Sequence, residues 1–237
     1  MSLVGDNIEA GDASWSFSGK TVDTFEEHVK KSVPLYVEGH DLIVRLSDFF
    51  VKDDSICYEI GCSTGALTQK IAKRHAIKNA KFIGIDLEQD MIEKANELYV
   101  DENIEFVCDN VIEYEFPNFH SDLIMSYYTI QFIRPSERQK LINKIYDTLK
   151  WGGAFMLFEK VRAPDARFQD ICTAVYNDYK LERGYTPDEI IHKSKSLKGV
   201  LEPFSSSANL DMLKRAGFVD VMNVMKYIPF EGFLCIK

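Results

Sequence analysis

The chain has 237 residues, of which 46% are hydrophobic and 27% are charged, which is typical of a globular protein and excludes disordered, collagen-like and coiled-coil chains. The net charge of −9 disfavours direct nucleic-acid binding, because that affinity depends on cationic side chains. The five cysteines are scattered, the amino terminus lacks an apolar signal core, and no apolar run is long enough to span a membrane. We therefore expect a cytoplasmic protein without a membrane contact or a metal site.

Apolar runs alternate with amphipathic stretches through the centre of the chain. These runs predict strands at 55–60, 81–85, 103–108, 121–127 and 154–158, followed by a closing strand pair at 218–225 and 232–236. Strands separated by helical segments form βαβ units and a mainly parallel sheet. We predict one α/β domain over residues 1–237, with helical cover from 15–50 and 163–204.

Three local signals predict helix ends. The Ser136-x-x-Gln139 pattern predicts a capping box, and Gly152-Gly153 predict the end of the same helix. Ser207 is predicted to cap a short helix near the carboxyl terminus.

A loop of small residues follows the first central strand, in the sequence Glu59-Ile-Gly-Cys-Ser-Thr-Gly65. Small residues at positions 61, 63 and 65 allow a tight turn and let a ligand approach the backbone closely. A plain tight turn that binds nothing is the alternative for this motif taken alone.

Acidic residues end three successive predicted strands: Glu59, Asp86 and Asp109. Asp86 lies about 20 residues after Gly65, the offset at which an acid binds a ribose diol, although each acid taken singly is also a possible helix cap. Acids disfavour the pyrophosphate of a nicotinamide dinucleotide, and Ala66 stands where G-x-G-x-x-G requires its third glycine. S-adenosylmethionine has a sulfonium, an ammonium and two ribose hydroxyls, so the sequence favours it as the cofactor.

The glycine loop, Asp86, Asp109 and the closing strand pair resemble the Rossmann-like S-adenosylmethionine-dependent methyltransferases. Nearly the whole chain is further similar to the carboxy-S-adenosylmethionine synthases. The motifs that carry this similarity include Trp15-x-Phe17, Ser32-Val-Pro34-x-Tyr36, Tyr58-Glu-Ile-Gly-Cys-Ser63, Pro135-Ser-Glu-Arg-Gln139 and Glu159-Lys160. Those enzymes convert S-adenosylmethionine and prephenate into a carboxymethyl donor for tRNA wobble-uridine modification. The resemblance implies a mainly parallel seven-stranded sheet with an antiparallel last strand, a helical lid and a homodimer.

Carried over by position, the resemblance predicts the cofactor-binding residues. They are Tyr36, Glu59, Gly61, Cys62, Ser63, Gly65, Asp86, Leu87, Asp109, Asn110 and Tyr127. Glu59 stands where the family usually has Asp. Tyr127 stands where the family has Asn at the end of the fourth strand.

A second departure concerns the family's Arg that pairs with the extra carboxylate of the modified cofactor. An ungapped reading places Ser194 at that position, and a serine offers only one neutral hydrogen bond. Lys193 and Lys195 are the neighbouring cations that could replace the Arg, and a solvated helix face is the alternative for both. We assign these three residues as candidate substrate contacts.

The sequence therefore predicts a methyltransferase that acts on a small-molecule acceptor. A carboxy-S-adenosylmethionine synthase is the alternative, and a cofactor-binding homodimer without turnover is a third hypothesis. The catalytic candidates are Tyr127, Tyr128 and His28, with packing or surface roles as the alternatives. No nucleophile is needed, because in-line displacement on a sulfonium depends mainly on proximity and orientation.

Overall fold

The computed structural model describes residues 2–6 and 8–237. Its strands are β1 (Ser2–Leu3), β2 (Glu9–Ala10), β3 (Ile56–Ile60), β4 (Lys81–Asp86), β5 (Ile104–Cys108), β6 (Ser121–Tyr127), β7 (Leu149–Lys160), β8 (Asp220–Tyr227) and β9 (Phe230–Ile236). Its helices are α1 (Lys20–Ser32), α2 (Tyr36–Ser47), α3 (Ala66–Arg74), α4 (Gln89–Leu98), α5 (Pro135–Thr148), α6 (Ala166–Glu182), α7 (Pro187–Ser196) and α8 (Ser206–Ala216). None of the described helices is both long enough and apolar enough to cross a bilayer.

Seven strands form one sheet in the order β5-β4-β3-β6-β7-β9-β8. Neighbouring strands from β5 to β7 are parallel, and β9 runs antiparallel to both β7 and β8. This is the Rossmann-like sheet with an antiparallel last strand that the sequence predicted.

Helices cover both faces of the sheet. Alternate residues of β6 belong to two separate apolar clusters, because successive side chains of a strand point to opposite faces. Leu123 packs in the cluster that contains Leu67 and Ile71 of α3. Ile124 packs in the cluster that contains Leu141 and Ile145 of α5. The chain order and the two apolar faces therefore place the carboxyl ends of β3, β4, β5 and β6 along one edge.

Three predicted helix ends are wrong. Helix α5 begins at Pro135 without a side-chain cap, since proline suits the first helical position, and it ends at Thr148. Strand β7 begins at Leu149 and continues through Gly152, whose positive φ of 76° accompanies a break in the register between β6 and β7. Ser205 rather than Ser207 caps α8, by accepting a hydrogen bond from the Ala208 amide.

A small hairpin that the sequence did not predict lies at the amino terminus. Strands β1 and β2 pair antiparallel and pack against α7. Val4, Ile8, Ala10 and Trp15 form a separate buried cluster there. This cluster fixes the hairpin beside the helical cover made by α1 and α7.

Candidate active site

A cavity of about 310 Å³ opens at the carboxyl edge of the sheet. Strands β3, β4 and β6 and the loop after β5 form its floor, and residues from α1, α2, α6 and α7 cover it. In open α/β sheets this edge is where ligands bind. The predicted residues that line the cavity are His28, Tyr36, Glu59, Gly61, Cys62, Ser63, Asp86, Leu87, Asp109, Asn110, Tyr127, Tyr128 and Lys193.

The loop between β3 and α3 brings its backbone close to the cavity. Gly61 has a φ of +70°, and a Cβ at this position would collide with the Thr129 side chain. The amides of Gly61 and Cys62 both donate to the Ile85 carbonyl. Ser63 also adopts a left-handed conformation, with a φ of 50°, and its amide points to Asp86. Position 61 therefore requires glycine, because any side chain would clash with Thr129 and would strain the positive φ.

Asp86 lies at the end of β4 with both carboxylate oxygens held by backbone amides. Ser63 donates to Oδ2 over 2.8 Å, and Glu88 donates to Oδ1 over 3.0 Å. Burial raises the pKa of the Asp86 carboxyl, while these amide hydrogen bonds oppose the rise. The group is thus fixed at the cavity wall, with lone pairs left to accept hydroxyl donors.

Tyrosine rings form one wall of the cavity. The Tyr127 hydroxyl donates to the Tyr36 carbonyl over 2.7 Å, and the centroids of the two rings lie 5.2 Å apart. Tyr128 has a positive φ of 62°, and its buried hydroxyl makes no hydrogen bond of ordinary geometry with the described residues. Tyr127 is therefore held by packing and by its own hydrogen bond, whereas Tyr128 has a polar atom available to a ligand.

The opposite end of the cavity is cationic. Lys160, at the end of β7, and Lys193, on α7, both line it. Lys180 of α6 lies beside them, and the Lys160 and Lys180 ammonium groups lie 4.6 and 4.5 Å from the centre of the Tyr176 ring. Within residues 2–6 and 8–237, none of the three lysines forms an ion pair with a carboxylate.

Burial and mutual repulsion weaken the basicity of these lysines. Desolvation, and then the nearby charges of Lys180 and Lys160, lower the pKa of Lys193 to about 7. Desolvation and Lys180 lower the pKa of Lys160 to about 8. An anion bound between these groups would relieve both effects, so this end of the cavity favours a negatively charged ligand.

Comparisons with known proteins agree with this arrangement. Residues 58–153 match a family model described as a methyltransferase domain. A carboxy-S-adenosyl-L-methionine synthase of Staphylococcus epidermidis is 39% identical over 227 residues, covering 94% of this chain and 97% of the relative. The synthase of Nautilia profundicola is 34% identical, with 94% of each chain covered.

The chain belongs to the carboxy-S-adenosyl-L-methionine synthase family.

Solved structures of lower identity share the fold of this synthase-family chain. An S-adenosylmethionine-dependent methyltransferase from Mesorhizobium loti superposes with a TM-score of 0.60 at 17% identity, covering 83% of this chain and 96% of that one. Phosphoethanolamine N-methyltransferase 2 of Haemonchus contortus, solved with S-adenosyl-L-methionine, gives 0.64 at 18% identity, covering 93% and 57%. The predicted resemblance and the Rossmann-like fold are confirmed, and the chain is assigned to a family of S-adenosylmethionine-using enzymes.

Three of the predicted site residues lie away from the cavity of this synthase-family protein. Gly65 caps α3 with a φ of +80°, packed against Phe106, so its role is to shape the loop. Ser194 and Lys195 are exposed on α7, and neither lines the cavity. Lys193 alone of the three α7 candidates reaches the cavity.

Lys160 lines the cavity although it was not among the predicted site residues. Glu159-Lys160 was among the motifs shared with the synthase family, and it ends a strand at the ligand edge, as Glu59 and Asp86 do. Its position at the carboxyl end of a strand was the sequence signal that could have identified it. Because Glu159 and Lys160 point to opposite faces of β7, only the structure shows that Lys160 is the one that lines the cavity.

Glu59 gives a prediction for the pH dependence of stability. Its carboxylate accepts a hydrogen bond from the Thr68 hydroxyl, yet burial raises the pKa to about 8 from the usual 4.5. The folded protein then holds this proton more tightly than the unfolded chain does. The contribution of Glu59 to the free energy of unfolding is therefore full below about pH 4.5 and is lost as the pH rises through about 8.

Glu59→Gln keeps the hydrogen-bond acceptor without the ionisation. We expect the variant to be more stable than wild type at pH 8 by on the order of a few kcal/mol, and close to wild type at pH 4.5. Urea unfolding of the unliganded proteins across this range measures the difference. Parallel pH profiles for the two proteins would show that Glu59 is ionised in the folded state.

Proposed function

We propose that this protein makes carboxy-S-adenosyl-L-methionine from S-adenosylmethionine and prephenate. The observation that supports this proposal is the pairing, in one cavity, of an acidic end formed by Glu59 and Asp86 with a cationic end formed by Lys160 and Lys193. A cationic cofactor suits the first end, and a dicarboxylate suits the second. A neutral methyl acceptor would leave the two lysines without a counter-ion.

The acidic end fits S-adenosylmethionine residue by residue. Asp86 has lone pairs for the two ribose hydroxyls. Glu59, which the unliganded protein holds protonated below about pH 8, would ionise when the ammonium of the cofactor binds beside it. Gly61 is part of the cavity lining and presents backbone there without a side chain. The cofactor supplies the sulfonium methyl carbon that gains the carboxyl group.

The reaction balances without a further reagent. Prephenate gives up CO₂ and hydroxide as its ring becomes aromatic, and it leaves as phenylpyruvate. The methyl carbon exchanges one proton for the CO₂, and this proton and the hydroxide leave as water. The residues of this chain bind and orient the two substrates, and the covering helices limit the access of bulk water.

Of the three α7 candidates for the carboxylate contact, Ser194, Lys193 and Lys195, we assign the contact to Lys193. Ser194, at the position expected from the ungapped reading, is exposed, and its neighbour Lys193 lines the cavity. A lysine donates to a carboxylate as a compact point charge and lacks the paired geometry of arginine. Lys160 supplies a second charge in the same cavity.

Mass spectrometry of the cofactor after incubation with S-adenosylmethionine and prephenate tests the proposal. We expect a product heavier than S-adenosylmethionine by the mass of CO₂, formed in equal amount with phenylpyruvate. S-adenosylhomocysteine together with a methylated acceptor would instead favour the methyltransferase function predicted first from the sequence. Binding of the cofactor without any product would favour the non-catalytic alternative.

The resemblance also implies a homodimer, and we propose that α6 forms part of its interface. Phe168, Ile171 and Val175 are 47%, 53% and 43% exposed and lie along one side of this helix. An apolar stripe of this kind favours contact with the same stripe of a second copy. Small-molecule substrates, and no direct contact with nucleic acid, remain our expectation for the other partners.

Ile171→Asp should shift the protein from dimer to monomer, because a charge in the centre of an apolar interface loses hydration without gaining a partner. Light scattering after size-exclusion chromatography measures the mass. Ile77→Asp is the matched control, since Ile77 is 97% exposed after α3 and away from α6. A monomeric wild type, or a dimer unchanged by Ile171→Asp, would contradict this interface.

A further inference from the structure

A chain of hydrogen bonds connects the amino-terminal hairpin to the cationic end of the cavity. Asp6 lies in the turn between β1 and β2, His28 lies on α1, and Lys193 lies on α7. The His28 Nδ1 and Asp6 Oδ2 atoms are 2.8 Å apart, and the Lys193 Nζ and His28 Nε2 atoms are 2.6 Å apart. His28 and Lys193 both line the cavity.

The direction of these bonds follows from the acceptors. A carboxylate only accepts, so the His28 Nδ1 atom carries the proton and donates to Asp6. Nε2 then has a free lone pair, and it accepts a hydrogen bond from the Lys193 ammonium. Burial and the charge of Lys193 lower the pKa of His28 to about 4, which keeps the imidazole neutral near pH 7 and Nε2 available as an acceptor.

The surroundings fix each member of this chain. The Trp15 ring stacks on the His28 imidazole with a centroid distance of 5.4 Å and an interplanar angle of 25°. Lys31 forms an ion pair with the other Asp6 oxygen. The Lys193 Nζ atom lies 5.3 Å from the centre of the Trp15 ring and 5.4 Å from that of Tyr185.

We propose that His28 and Asp6 are positioning residues that hold the Lys193 ammonium toward the cavity, where its remaining N–H groups bind a carboxylate of the co-substrate. This inference rests on the proposed function for the identity of the anion. A lysine side chain is flexible and loses rotamer entropy when it is fixed. Repulsion from Lys160 and Lys180 would otherwise favour an outward rotamer. The acceptor at His28 Nε2 offsets both costs before the substrate arrives.

The tautomer of His28 can be measured in the absence of any substrate. In protein labelled with ¹⁵N at histidine, we expect the His28 signals to show a protonated Nδ1 and an unprotonated Nε2 at neutral pH, assigned by comparison with His28→Asn. Asp6→Asn should reduce this preference. A wild-type His28 protonated on Nε2 would overturn the proposal, because that atom could not accept from Lys193.

Kinetics with two amide variants test the positioning role. His28→Asn places its amide near the Nδ1 site, so it still reaches Asp6 but not Lys193, whereas His28→Gln can place its carbonyl oxygen near the Nε2 site. We expect His28→Asn to raise the KM for prephenate about tenfold or more, with S-adenosylmethionine affinity unchanged, and His28→Gln to recover part of the loss. His192→Asn, at the neighbouring position to Lys193 on α7, is the matched control and should behave as wild type.

These results separate the positioning role from the proposed function. A wild type that yields no carboxylated cofactor contradicts the proposed function. The tautomer of His28 would still show whether Nε2 can accept a hydrogen bond from Lys193. With an active wild type, an unchanged KM in His28→Asn overturns the positioning role. An equal loss in the Asn and Gln variants also overturns it, because that pattern would mean that only the shape of the imidazole matters.

Discussion

Asp86→Ala is expected to weaken the binding of S-adenosylmethionine about 30- to 1000-fold. Two hydrogen bonds from the ribose hydroxyls to a carboxylate contribute about 2–4 kcal/mol together, which corresponds to this range of affinity. The carboxylate is already fixed by the Ser63 and Glu88 amides, so its binding geometry requires little further ordering. Isothermal titration calorimetry with S-adenosylmethionine or S-adenosylhomocysteine measures the change.

Two further variants separate binding from loop support. Asp86→Asn keeps the size of the side chain and one carbonyl acceptor, so its loss should fall between those of the alanine variant and wild type. Asp53→Ala removes an exposed acid that precedes β3 at the opposite end of the sheet, and it should bind as wild type does. Wild-type affinity in a folded Asp86→Ala protein would mean that Asp86 serves only the loop.

Lys160→Met is expected to raise the KM for prephenate about 10- to 100-fold. A charge-assisted hydrogen bond to a carboxylate contributes about 1.5–3 kcal/mol, and methionine fills a similar volume without the charge. The affinity for S-adenosylmethionine should stay unchanged, since Lys160 lies at the other end of the cavity from Asp86. The variant should be no less stable than wild type, because the folded protein no longer has a desolvated ammonium to bury.

The pH dependence of the wild type gives an independent measure of the same contact. Because the pKa of Lys160 is lowered to about 8 and that of Lys193 to about 7, the free enzyme loses positive charge through this range. The KM for prephenate should therefore rise with pH, and the rise should be smaller in Lys160→Met. Lys73→Met, which changes an exposed lysine in the last turn of α3 that does not line the cavity, is the matched control. A KM that Lys160→Met leaves unchanged would place the carboxylate elsewhere.

The acidic end of the site could be predicted from the sequence, and the cationic end could be predicted only in part. Glu59, Asp86 and Asp109 end parallel strands, whose carboxyl ends meet at one edge whatever the details of packing. Lys193 and Ser194 are neighbours on a helix, where successive residues point about 100° apart. An ungapped comparison of sequences cannot tell which of the two faces the cavity, and here it selected the exposed one.

Two short features account for most of the remaining differences between the predicted and the observed fold. Strands β1 and β2 have two residues each, too few for an alternating pattern to appear in the sequence. Gly152-Gly153 carry the usual signal for a helix end, but here they form an irregularity within β7. The hairpin packs against the distant helix α7, and the irregularity in β7 depends on pairing with β6. Local composition reports neither contact.

The hairpin that supplies Asp6 has a practical consequence for the preparation of this protein. A polypeptide fused ahead of residue 2 that distorts the β1–β2 pairing would displace Asp6 while leaving the sheet edge intact. The resulting sample should be well folded and should retain S-adenosylmethionine through purification, yet it should saturate poorly with the anionic substrate. If an amino-terminally tagged preparation shows low turnover, its turnover should be compared with that of the protein after the tag has been cleaved. Only a low turnover of both proteins is a property of the enzyme itself.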